Sequence, residues 1–396
     1  MAVEVFTKLH DFVSNTAPIC YGILKPGLHV EKGVPVVKVK NIQSGQINTS
    51  DLLRTTQEID DQYKRSRIQP GDLLLTIRGS TGRVAIVPAE LTSANITQDT
   101  ARIRVSSDDS TEYLFYALQS ERVQQQIFLN TVGQAVKGIN ISEVKKLSLL
   151  HPPLPEQQKI AKILQTWDRA IATTEKLIDA SKQQKKALMQ QLLTGKKRFA
   201  GFEGEWELTA LGDVFGERRE TEHTELQLLS ITSGEGVINR SEVGRKDTSN
   251  LDKTKYKRIC AGDIGYNTMR MWQGVSGVSP VEGIVSPAYT VITPTPSIDA
   301  TYASYLFKLP LVVSLFERNS QGLVSDTWNL KFKHFSKIQM ALPSIEEQVK
   351  IASALGTVDQ QIKAAKERAE HLSSEKKSLM QQLLTGKRRV KVDEAA

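Results

Sequence analysis

The sequence predicts an α+β chain in which two mixed, strand-rich globules are separated by two long antiparallel coiled-coil helices, with pseudo-twofold internal duplication. Three observations predict it. The nonamer LMQQLLTGK stands at 188–196 and again at 379–387, and an offset of 191 positions keeps about half of residues 156–199 identical without insertion or deletion. Both copies carry an apolar seam in alternating steps of four and three: Ile160, Leu164, Trp167, Ile171, Thr174, Ile178 and onward to Leu192, then Ile351, Leu355, Val358, Ile362 and onward to Leu383. The stretches before each seam hold most of the glycines and short β-branched runs such as VPVVKVKNI, GDLLLTIRG, LQLLSIT and YTVITP.

The elements follow in order as domains 1–152, 153–198, 199–343 and 344–390. Residues 1–152 read as the first globule, with short strands and one helical stretch, TEYLFYALQSERVQQQIF. The first rod starts at HPPLPEQQ, where prolines precede Glu156 and a carboxylate suits the helix N-terminus; it stops at Gly195, a plausible left-handed cap followed by cations. Residues 199–343 repeat the globule distantly: Gly71-Asp72 falls on Gly262-Asp263, and Ile139, Ile141, Val144 and Leu147 fall on Leu330, Phe332, Phe335 and Ile338. The second rod starts at LPSIEEQ with Glu346 and Glu347 and stops at Gly386. A length of about 38 residues gives each rod roughly 57 Å. Rods of this kind pack most economically antiparallel, with the globules at opposite ends and two nearly equivalent docking surfaces.

The formal charge of +8 favours a polyanionic partner, because clustered cations gain affinity by releasing phosphate counterions. With no basic-then-apolar leader and no apolar run near 20 residues, a cytoplasmic protein with no membrane partner is expected. Cys20 and Cys260 stand alone, so no disulfide framework or CxxC metal site can be built, and the six histidines lack metal spacing. HPPL at 151–154 is the nearest string to an Asp/Asn-Pro-Pro-Tyr methyltransferase motif and reads as a helix start. A Walker A loop would need glycine where Gln190 and Gln381 stand. Asp72 and Asp263, in Gly-Asp context and without an ExK partner, read as strand-leading turns rather than nuclease carboxylates.

The paired motifs PPLPEQQKIAKIL…LMQQLLTGKKR and LPSIEEQVKIASAL…LMQQLLTGKRR, WELTALGDVF opening the second globule, and the loop MRMWQG…GIVSPAY together resemble the specificity subunit of type I restriction-modification enzymes. The resemblance covers essentially the whole chain; the first globule lacks a lead-in matching Trp206 to Asp213. It implies two target-recognition domains, a bipartite asymmetric double-stranded DNA target, and a non-catalytic subunit of an adenine methyltransferase. It further implies two modification subunits as partners, with restriction subunits in the full complex. No cofactor is then expected on this chain, S-adenosylmethionine and ATP with magnesium belonging to the partners. The rival readings are a coiled-coil scaffold for protein or RNA, and an intrinsic nuclease or methyltransferase whose motif the sequence lacks.

Base edges are read by paired donors and acceptors: Arg to guanine, Asn or Gln to adenine, Ser or Thr to either. The loops beside strands therefore nominate Lys40, Asn41, Gln43, Arg78, Ser80, Thr81, Gln98 and Lys137 in the first globule. In the second they nominate Arg270, Trp272, Gln273, Ser286 and Thr327. Gln157, Lys159 and Asp168, repeated as Gln348, Lys350 and Asp359, are expected on the partner-docking faces of the rods. The basic ends Lys196 to Arg198 and Lys387 to Arg389 suit either DNA phosphates or the helix dipole.

Overall fold

A computed structural model describes residues 5–134, 137–244, 249–323 and 327–391. The chain forms two compact units: Met1–Glu175 with Glu367–Ala396, and Lys176–Lys366. Each unit therefore takes one globule, the first half of the long helix that follows it, and the second half of the other long helix.

The two long helices, Leu154–Leu192 and Ile345–Leu383, have 39 residues each. Every seam position named above is buried or half-buried, while intervening positions such as Thr173, Lys176, Lys363 and Arg368 are exposed. The first helix stops as expected. Gly195 adopts φ +68°, and a Cβ there would also lie 3.3 Å from the Trp206 ring.

Each globule is built on the same four-stranded antiparallel sheet. In unit 1 the order is Cys20–Tyr21, Thr100–Ile103, Leu73–Thr76, Val84–Ile86; in unit 2 it is Phe215–Arg218, Tyr289–Pro294, Ile264–Asn267, Ser276–Val278. A two-stranded pair closes each globule and delivers the chain to its long helix: Phe6–Lys8 with Ser148–Leu150, and Glu207–Ala210 with Gln339–Leu342. The lead-in of unit 2 does have a counterpart in unit 1. Thr7-Lys8-Leu9-His10-Asp11 runs from strand into a helical turn as Thr209-Ala210-Leu211-Gly212-Asp213 does, with Leu9 and Leu211 both fully buried. Asp72 and Asp263 behave as turn residues: each accepts from the backbone three residues earlier, and each binds an arginine, Arg104 or Arg218.

The repeated nonamer docks the returning helix on the globule. Leu379, Met380, Leu383 and Leu384 pack into the core of unit 1 against Ile160, Ala161 and Leu164. Leu188, Met189, Leu192 and Leu193 do the same in unit 2 against Ile351, Ala352 and Leu355. Polar pairs fix the register. In unit 1 Arg389 grips Glu156 through two nitrogens, Nε at 2.7 Å, and Lys376 reaches Asp168 at 2.5 Å. In unit 2 Arg198 grips Glu347 at 2.9 and 2.7 Å, and Lys185 reaches Asp359 at 2.7 and 2.8 Å. Rising numbers on one helix meet falling numbers on the other, so the two segments run antiparallel within each unit. Arg198 and Arg389 each clamp the buried carboxylate that opens the other helix.

Candidate nucleic-acid interface

In unit 1 the nominated residues from three distant segments meet at one end of the four-stranded sheet. The turn between Leu73–Thr76 and Val84–Ile86 is stapled by Thr76, whose hydroxyl donates to the Ser80 carbonyl and accepts from the Arg83 amide. Arg78 then donates from Nη1 to Gln98 Oε1 at 3.1 Å, and the Gly79 amide donates to the Lys137 carbonyl at 3.0 Å. Gly138 permits that approach, because a Cβ would come within 2.9 Å of Arg78 Cγ and 3.0 Å of the Ile77 carbonyl. Arg78, Ser80 and Lys137 stay exposed, with Thr81 and Gln98 half-buried. Ala135 and Val136 of the same loop lie outside the described residues.

The Lys40–Gln43 segment is tied to this turn by Arg83, which donates to the Ile42 carbonyl at 3.1 Å. Lys40 pairs with Asp51 and Gln43 donates to the Lys40 carbonyl, both exposed. Asn41 requires a correction. It is 3% exposed, its amide is donated to the Asn48 and Asp51 carbonyls, and its oxygen accepts from the Lys38 amide, so it holds the turn and presents nothing to a base.

In unit 2 the turn Met271–Gln273 is plugged by fully buried Met271, which leaves Arg270 and Gln273 exposed. Trp272 is half-buried, donates to the Met269 carbonyl at 3.0 Å and stands edge-on to Trp328 at 5.4 Å. The Leu330 amide binds the Thr268 carbonyl at 2.8 Å, which brings exposed Thr327 beside this turn; Ser325 and Asp326 lie outside the described residues. Ser286 is half-buried, and its hydroxyl accepts from the Ala288 amide. A cavity of about 490 Å³ opens between these loops, with Lys257, Thr268, Thr327, Asn329 and Lys331 on its wall. Burial pulls the Lys257 ammonium below the usual lysine range, and it donates to the Tyr289 carbonyl at 2.7 Å. Lys257, Asn329 and Lys331, like Arg83, escaped the sequence reading. Only the alternation of cations in NLKFKHF hinted at Lys331.

Lys308 props this turn from behind, donating to the Gly274 and Ser276 carbonyls at 2.6 and 2.8 Å. Burial lowers its pKa from 10.5 to about 8. The unfolded chain then holds more protons than the folded one between these values, so this group makes stability rise as pH climbs from about 8 to 10.5. Urea denaturation across that window is expected to show the rise in the wild type and a flatter profile in Lys308→Met.

On the helices, Gln157 and Gln348 require a second correction. Both are 1% exposed. Gln157 accepts from the Ser110 amide and donates to Asp109 and the Pro152 carbonyl; Gln348 accepts from the Asp299 amide and donates to the Ser297 and Pro343 carbonyls. Each sews its globule to the start of its helix and has no face to offer a partner. Asp168 and Asp359 are engaged internally too, accepting from Tyr116 and Tyr305 at 2.7 Å, though their side chains stay 43% and 41% exposed. Burial, then the neighbouring carboxylate, raises the pKa of both phenols. Lys159 is half-buried, and exposed Lys350 lies over the rings of Phe199 and Phe202.

Among the described residues no group of three or more His, Cys, Asp or Glu is placed to hold a metal ion, and no helix is long and apolar enough to cross a membrane.

The family model for the type I restriction modification DNA specificity domain matches residues 25–182 and again 203–373. The chain is 29% identical over 211 residues to the type I restriction enzyme EcoBI specificity subunit of Escherichia coli, a match covering 52% of this chain and 42% of that subunit. It is 24% identical over 384 residues to the putative type I restriction enzyme MjaX specificity subunit of Methanocaldococcus jannaschii, covering 91% and 88%. The crystal structure of the HsdS subunit from Thermoanaerobacter tengcongensis shares the fold over 96% of both chains, with a TM-score of 0.54 at 16% identity. The type I restriction-modification S subunit from M. genitalium does so over 97% of both, with a TM-score of 0.57 at 14% identity. Two matched domains, each on the same sheet and each followed by a long helix ending in the same nonamer, place this chain in the family of type I restriction-modification specificity subunits.

Proposed function

We propose that the chain reads DNA for a type I restriction-modification system as its non-catalytic subunit, one half-site per globule. The observation that carries this reading is the convergence of Arg78, Ser80, Gln98 and Lys137 at one end of a rigid sheet. These side chains can discriminate guanine and adenine edges while Lys137 meets phosphate. Unit 2 sets a different group, Arg270, Gln273 and Thr327 beside the Lys257 cavity, at the corresponding loops, so the two half-sites differ and the target is bipartite and asymmetric. The outer faces of the helices, with half-buried Lys159 and exposed Lys350, dock two modification subunits, and the full complex adds restriction subunits. S-adenosylmethionine and ATP with magnesium belong to those partners.

The test is co-expression with an adenine methyltransferase subunit, followed by sequencing of methylated adenine in host DNA. A two-part motif is expected. Arg78→Ala is expected to relax one position in one half by about 1–3 kcal/mol of discrimination and to leave the other half intact. Sequence-indifferent DNA binding with no methyltransferase complex would instead favour a scaffold.

A further inference from the structure

At the other end of the same strands, away from Arg78, unit 1 holds a cavity of about 540 Å³ lined by six cationic side chains: Lys64, Arg65, Arg67, Arg102, Arg104 and Lys145. Asp60 and Asp61 hold Arg67, and Asp72 holds Arg104. Among the described residues, Arg65, Arg102 and Lys145 have no carboxylate partner. The cavity wall therefore carries excess positive charge.

Arg102 is the singular member. It is 2% exposed, and its Nε is buried without a hydrogen-bond partner. Its Nη2 meets only the Pro18 carbonyl at 3.0 Å and the Cys20 sulfur at 3.5 Å. A buried charge with so little compensation is a cost to the fold. The fold does not require it. Arg102 sits opposite Leu74 and Cys20 in the sheet of unit 1, and the same place in unit 2, opposite Gly265 and Arg218, is held by fully buried Val291.

We propose that this cavity is a phosphate site, in which Arg102 at the floor and Arg65 and Lys145 at the rim neutralise one phosphate group. An oxyanion supplies the charge that Arg102 lacks, in a setting of several convergent donors suited to phosphate. The group can be a backbone phosphate of duplex DNA or a free one. The site is defined by unit 1 alone and does not rest on the base-reading proposal.

Cys20 lies in the wall and Cys260 is the sole other cysteine, which gives a local reporter. In the full-length Cys260→Ser chain, maleimide labelling of Cys20 is followed with inorganic phosphate, or with chloride at matched ionic strength. Phosphate is expected to slow labelling in a saturable way, about tenfold at ten times its dissociation constant. Arg102→Val, which installs the residue unit 2 carries, is expected to abolish the protection; Arg65→Ala with Lys145→Ala, on the rim, weakens it without touching the core. A duplex lacking any target site that protects equally and competes with phosphate identifies the backbone as the source, whereas protection by phosphate alone identifies a free anion. Labelling indifferent to phosphate, or slowed equally in the Arg102 and rim variants, overturns the site.

Discussion

Replacing Phe335 with alanine is expected to destabilise unit 2 by about 4 kcal/mol, within the usual range for a fully buried aromatic ring. Phe335 is 0% exposed and touches five other rings: Tyr266 at 5.4 Å, Phe307 at 5.8 Å, Phe215 and Phe316 at 6.0 Å, and Phe332 at 6.1 Å. Phe215 and Tyr266 come from strands and Phe316 from a helix, and all three are themselves fully buried, so filling the void would cost them their own contacts. Unit 1 places Val144, equally buried, at the corresponding position. Val144→Ala removes less volume and is expected to cost roughly half as much or less. Urea denaturation with hydrogen exchange checks both: protection is lost in residues 207–342 for Phe335→Ala and in residues 6–150 for Val144→Ala. Equal losses from the two substitutions would show that the aromatic cluster is not the keystone of unit 2.

Arg389→Ala is expected to cost unit 1 about 3 kcal/mol, the lower end of what stranding a buried charge costs. The Glu156 carboxylate it leaves behind is 4% exposed, and Arg389 is its ion-pair partner in the structure. Much of the loss is the penalty on that carboxylate rather than the worth of the pair. Glu156→Gln in the same chain is therefore expected to recover part of the stability, and the double-mutant cycle reads the coupling directly. Lys182→Ala is the control: Lys182 and Asp179 form a pair 54% and 72% exposed, and its loss is expected to change stability by less than about 0.5 kcal/mol. A cycle showing no coupling between Glu156 and Arg389 would mean that this clamp does not set the antiparallel register, leaving it to the Lys376–Asp168 pair and apolar packing.

The helices were legible because their signals are local and repeat. A seam of steps of four and three over 33 residues has one reading, and glycine at a left-handed cap marks its end. The Gly-Asp turns were legible for the same reason. The clamps were not: Glu156 and Arg389, or Arg198 and Glu347, stand 233 or 149 residues apart, and each side alone looks like an ordinary response to the helix dipole. The lead-in at Thr7 to Asp11 was missed because it lacks a tryptophan and falls out of the 191-residue register. Asn41, Gln157 and Gln348 were misplaced by residue type, since amides that suit a base edge or a partner also suit buried carbonyls. In the candidate interface the loops could be named from their place beside strands. Their convergence could not, because it depends on where Lys137 and Gln98 return relative to Arg78.

The division of the chain into units also sets an order of assembly during synthesis. Unit 2 is one continuous stretch, Lys176–Lys366, and all of it is available before residue 367 is made. Unit 1 is different: Ile160, Ala161 and Leu164 wait for Leu383 and Leu384, about 220 residues later. At roughly 5–20 residues per second that is about 10–45 s during which the first globule has left the ribosome with part of its core uncovered. The half made first is thus the half finished last, and the second copy of the nonamer is the patch whose arrival closes it.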